Sequence, residues 1–104
     1  MDAVAELKRL DARDRVAVAH AVEKLAALGD RLPFPHQSAV VGSPPLRELR
    51  PRAGRCRWRP IYAQQAGGFV VLAVGPEAQV DPRGFERAVR SALRRLREVE
   101  EAGG

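Results

Sequence analysis

The chain has 104 residues, enough for one modest core and so for a single domain over 1–104, and it carries a net charge of +5 from sixteen arginines, two lysines and thirteen acidic residues. That balance favours a polyanionic partner: RNA, DNA, an acidic protein or an acidic surface. One cysteine excludes an internal disulfide framework and a cysteine-rich zinc site, two histidines give no evident metal cluster, and no apolar run is long enough to span a bilayer.

Val4, Leu7 and Leu10 have helical spacing, so the chain is expected to open in a short helix. No signal-peptide pattern follows Met1, which makes the cytosol the expected location, with no membrane partner. Asp11 is a good N-cap for a second helix, with Asp14 as a weak capping-box equivalent and Leu10 and the Arg15 stem at staple positions. Val18, Val22, Leu25 and Leu28 form its apolar stripe and Gly29 its stop, and the two helices read as a helical hairpin. Prolines mark Leu32 to Pro45 as a loop, interrupted only by Ala39-Val40-Val41.

Leu46–Arg50 and Arg55–Ala63 are predicted strands, linked by Pro51-Arg52-Ala53-Gly54. Pro60 lacks an amide donor and is expected at a bulge or where pairing is one-sided. Gln64–Gly68 turns the chain, and the unbroken apolar run Phe69–Val74 reads as a strand covered on both faces. Val80-Asp81-Pro82 starts the last helix with a capping Asp, Pro at N1 and a Val80–Phe85 staple. Its apolar face is Phe85, Val89, Ala92, Leu93, Leu96 and Val99; Arg83, Arg87, Arg90, Arg94 and Arg97 form a solvated face. The fold class expected is α+β: a helical hairpin on a small twisted antiparallel sheet, a three-strand meander, with a C-terminal helix.

Arg47, Arg50, Arg52, Arg55, Arg57 and Arg59 crowd the meander. Strict alternation from Arg55 predicts Arg55, Arg57 and Arg59 on one face, with Cys56 and Trp58 on the other. Such a row must meet water, carboxylates or phosphate, and the guanidinium fork suits phosphate. Cleavage of RNA by its own 2′-hydroxyl needs no metal, only positive charge for the phosphorus centre, a proton acceptor and a proton donor. Arg50, Arg57 and Arg59 supply charge, Arg52, Arg55 and Arg57 suit nucleic-acid contact, and Tyr62 is either a base-stacking or acidic group or a half-buried strand aromatic. Trp58 is expected to pack under a helix and Cys56 to be buried and structural. His20 is expected to be a surface or structural residue, and His36 sits on a loop able to reach a site. No phosphate-binding glycine loop is present, since Gly67-Gly68 lacks a following Lys-Ser/Thr.

The order Leu46-Arg47-Glu48-Leu49-Arg50, Gly54, Trp58-Arg59-Pro60-Ile61-Tyr62, Phe69 to Gly75 and Pro82 to Ala88 resembles the phage-derived HigB-like toxins of the RelE/ParE superfamily. The resemblance implies a toxin that cleaves mRNA on the ribosome as a metal-free and cofactor-free endoribonuclease, paired with a helix-turn-helix antitoxin. Arg50 and Arg59 match the family's arginines and Tyr62 its strand tyrosine, which makes these three the implied catalytic residues. Two departures stand out. The chain starts in a helix where the family has a strand, so either its true start lies upstream or an edge strand is missing and a sheet edge is expected to be open. The segment after the apolar strand, Gly75-Pro76-Glu77-Ala78-Gln79, lacks the family's basic residues. That loss keeps open a ParE-like gyrase inhibitor, or a degenerate member that only binds an antitoxin.

Overall fold

A computed structural model, described for residues 2–103, has three α-helices, two short 3-10 turns and four strands. In chain order these are α1 (Ala3–Lys8), α2 (Ala12–Leu28), β1 (Gln37–Ala39), β2 (Arg47–Leu49), β3 (Trp58–Gln65), β4 (Gly68–Pro76) and α3 (Pro82–Gly103). The class is α+β, with a four-stranded antiparallel sheet in the order β1-β2-β3-β4. The three-strand expectation is corrected by one. The supposed loop contains β1, which pairs Gln37 with Leu49 and Ala39 with Arg47. The third strand also starts later than expected, at Trp58 rather than Arg55.

The helix starts follow from their caps. The Asp2 carboxylate accepts from the Ala5 amide at 2.9 Å, and Asp11 accepts from the Asp14 amide at 2.8 Å. Asp14 does not complete a capping box; its carboxylate instead accepts from Trp58 Nε1 at 3.0 Å, tying α2 to β3. Asp81 caps α3 by accepting from the Gly84 amide at 2.9 Å. Trp58 packs with Leu10, Val18 and Val74 under the N-terminal helices, and Cys56 is buried beside Asp14.

The sheet separates two apolar layers. On one face Leu46, Ile61, Ala63 and Leu72 meet Ala88, Val89, Ala92 and Leu96 of α3, so the apolar stripe of that helix lies where its spacing placed it. On the other, Leu49, Tyr62, Phe69 and Val71 meet Ala21 and Leu25 of α2. Gly75 sets the approach of α3: a Cβ there would lie 2.4 Å from the Ala88 Cβ. A bulge between Ile61 and Tyr62 follows Pro60, which pairs with Val74 on one side only.

The outer edge of β4 is closed by side chains rather than by another strand. Glu6 of α1 accepts from the Val74 amide at 3.0 Å, and Arg95 of α3 donates to the Leu72 carbonyl at 2.7 Å. Glu6 and Arg95 pair with each other at 3.0 Å. Among the described residues no helix is long and apolar enough to cross a membrane.

Candidate functional site

Because β3 begins at Trp58, the arginine row does not form. Arg55 lies in the turn and bonds its Nε to the Arg52 carbonyl at 3.1 Å. Arg57 is exposed, with its guanidinium 5.1 Å from the Trp58 ring. Of the three, Arg59 alone is on a strand, and it points inward with 4 % of its surface exposed. Arg52 and its neighbour Ala53 adopt left-handed backbone, at φ 57° and 55°, in a tight helical turn over Pro51–Gly54.

Arg59 is held from every side. Its Nη2 pairs with Glu77 at 2.5 Å and reaches the Gly54 carbonyl at 3.3 Å, while its Nε stands 3.9 Å from Glu48. Its Nη1 donates to the carbonyls of Cys56 and Trp58. Glu48 also binds Arg50 Nη2 at 3.3 Å. Two arginines and two carboxylates thus share a cleft of about 420 Å³, bounded by β1, β2, the 51–54 turn and the β4–α3 loop. Arg50 is the more accessible arginine, its side chain 32 % exposed, and its buried Nε has no hydrogen-bond partner. Its guanidinium also lies 5.6 Å from the Phe34 ring.

The structure therefore brings Arg50 and Arg59 together and keeps Tyr62 apart. After the bulge Tyr62 turns to the opposite face, buried against Phe69, with ring centroids 5.8 Å apart at 74°. It lines a different hollow with Arg47, Gln37 and Asp30. Burial pushes its phenol above the ordinary 10.0, against the lowering effect of the hydrogen bond and charge of Arg47. Arg47 in turn is anchored by its Nε to Gln37 at 2.7 Å.

Glu48 was readable inside the Leu46–Arg50 segment as a carboxylate among arginines. Glu77 stood out only as the acidic residue of a loop where bases were expected. Alternation along 55–59 points to neither, because both carboxylates reach Arg59 from other segments of the chain. His20 and His36, from α2 and the loop before β1, line a separate cleft with Lys24, Arg50 and Arg52.

A small α+β protein whose meander holds a guanidinium–carboxylate cluster at one end is the class that fold and site define. Residues 5–77 match the family described as Phage derived protein Gp49-like (DUF891), and the chain belongs to that family. The family is a RelE-like one of toxin–antitoxin systems, so membership is consistent with a toxin and with an antitoxin partner. Comparisons with curated proteins and with solved structures returned no match.

Proposed function

We propose that the chain is the toxin of a toxin–antitoxin pair, of the HigB-like kind, and that it cleaves mRNA on the ribosome by 2′-hydroxyl attack. The observation that carries this reading is the meeting of Arg50 and Arg59 with Glu48 and Glu77 in one cleft. A scissile phosphate at the Glu77 end of Arg59 replaces the carboxylate as its partner. Glu77, displaced by one hydrogen bond, takes the 2′-hydroxyl proton as the 2′-oxygen bonds to phosphorus. The bond to the 5′-oxygen breaks, leaving a 2′,3′-cyclic phosphate, and water at the open side protonates the leaving oxygen. Arg59, with Arg50 beside it, stabilises the added charge on phosphorus. Tyr62, on the other face, is assigned a packing role. Arg52, Arg55 and Arg57, spread along the turn, serve contact with the rest of the nucleic acid, and a helix-turn-helix protein is the partner that restrains the toxin.

The same cleft motivates one alternative. Its two arginines are balanced by two carboxylates, and its loop Glu77-Ala78-Gln79 carries no base. A ParE-like inhibitor of gyrase needs no catalytic charge there. The deciding experiment is mRNA cleavage in a ribosome-containing translation extract. Glu77→Gln, which keeps shape and removes the proton acceptor, is expected to slow cleavage about 10²–10⁴-fold. Arg94→Ala, exposed on α3, is the control and should cleave like the parent. A parent chain that cleaves nothing ends the endonuclease reading, and loss of DNA synthesis in pulse-labelled cells would then establish the gyrase reading.

A further inference from the structure

Arg50 belongs to two clefts. One is the cleft of Arg59 and Glu77. The other, about 240 Å³, lies between α2 and the 51–54 turn, and its polar side chains are His20, Lys24, His36, Arg50 and Arg52. Every one of these is a cation or an imidazole, and no carboxylate lines the cleft. Its remaining walls are apolar, from Ala17, Ala21, Leu32 and Pro51. Phe34, in the loop between the lining residues Leu32 and His36, is 71 % exposed, and the Arg50 guanidinium lies over its ring. The cleft is built by three segments, 16–24, 32–36 and 50–52, and α2 presents His20 and Lys24 one turn apart on one stripe.

We infer that this second cleft holds a flanking nucleotide of the RNA whose scissile phosphate lies in the first, with Lys24 and Arg52 on a phosphate, the imidazoles as further donors and Phe34 as a stacking platform for a base. The inference rests on the endonuclease reading and extends it along the substrate. A cation-lined wall without carboxylates attracts any polyanion, including an acidic peptide. Two observations favour RNA. An exposed ring already paired with a guanidinium is the surface on which unstacked bases lie in single-stranded recognition. And Arg50 lines both clefts, so one strand passing from the first to the second meets the same guanidinium in each.

The test is fluorescence anisotropy with a labelled single-stranded RNA of about twelve nucleotides, within the span such surfaces cover, 2′-O-methylated so that it cannot be cleaved, and with a labelled dinucleotide of the same chemistry. The variant is Lys24→Gln with Arg52→Gln; both side chains are exposed, so the fold should survive, which circular dichroism verifies. The double variant is expected to bind the longer RNA roughly ten- to a hundredfold more weakly, with a salt slope lower by about 2, one per cation removed. Its dinucleotide affinity should match the parent's. Equal binding of the longer RNA by parent and variant, with the parent still cleaving mRNA in the extract, overturns the second cleft and leaves the endonuclease reading standing. A parent that neither binds RNA nor cleaves overturns both. A labelled polyglutamate peptide bound more tightly than RNA, and in a Lys24- and Arg52-dependent way, overturns the inference by making the cleft a protein-docking site.

Discussion

Arg59 is asked to meet two demands that oppose each other. As an electrostatic donor it must face a ligand, yet its guanidinium is enclosed by three carbonyl oxygens and two carboxylates. Removing it strands Glu77 and leaves Glu48 with Arg50 alone, and breaking a buried pair from one side costs about 3–5 kcal/mol. Arg59→Ala therefore tests folding and function together, and Glu77→Gln is the cleaner probe. Tyr62 offers a second residue-scale test. Its phenol is raised mainly by burial. As pH climbs, the unfolded chain loses this proton before the folded one does. The contribution is whole below the ordinary value of 10.0 and is lost as pH rises through the higher folded value. Stability should fall on the alkaline side, and less steeply in Tyr62→Phe. This is the chain's sole tyrosine, so phenolate absorbance follows it directly. A folded protein whose tyrosine titrates at or below the ordinary value would contradict the buried placement.

The turn between β2 and β3 is where an element carries strain. Ala53 sits at φ 55° and ψ 35° and is exposed. Left-handed backbone costs a residue with a Cβ about 1–2 kcal/mol, and glycine almost nothing. Ala53→Gly should raise stability by about 0.5–1 kcal/mol after the extra freedom of the unfolded chain is counted, seen as a higher thermal midpoint. No gain would mean that the turn relaxes around alanine. The same turn explains what sequence reading saw and missed. Helices α2 and α3 were legible because caps and apolar stripes are local: Asp11 and Asp81 start them, and Val18, Leu25, Val89 and Leu96 face the sheet. Strands β3 and β4 were legible from their β-branched and aromatic content. Strand β1 was not, since Gln-Ser-Ala among prolines has little strand character of its own and is extended by pairing with β2. The arginine row failed for a related reason. Alternation has meaning only inside a paired strand, and the 51–54 turn delays pairing until Trp58. Arg50 and Arg59 were marked as a pair only by the family resemblance, and Glu77, which meets Arg59 from beyond the end of β4, was marked as their partner by neither spacing nor resemblance.

At the scale of the whole molecule, the expected open sheet edge is where α1 and α3 meet. Glu6 and Arg95 occupy the amide and carbonyl of Val74 and Leu72 that a further strand would otherwise pair. A blocked edge is how sheet proteins avoid edge-to-edge pairing. Glu6→Ala removes the acceptor and leaves Arg95 without that carboxylate, so stability should drop by about 2 kcal/mol. The variant should also form larger species with rising concentration in analytical ultracentrifugation. A Glu6→Ala protein as stable as the parent, with the same sedimentation, would show that the edge is protected by something else.

The bond between Trp58 and Asp14 has a practical outcome. This indole is the only one in the chain, half-buried where the second helix meets the third strand, and its N–H is spoken for by a residue 44 positions away. Its emission colour is therefore a built-in gauge of that junction. Loosening the helix from the sheet shifts the light to the red while α3, on the far side, still reads as helix by circular dichroism, so a single label-free sample can tell partial undocking from complete unfolding.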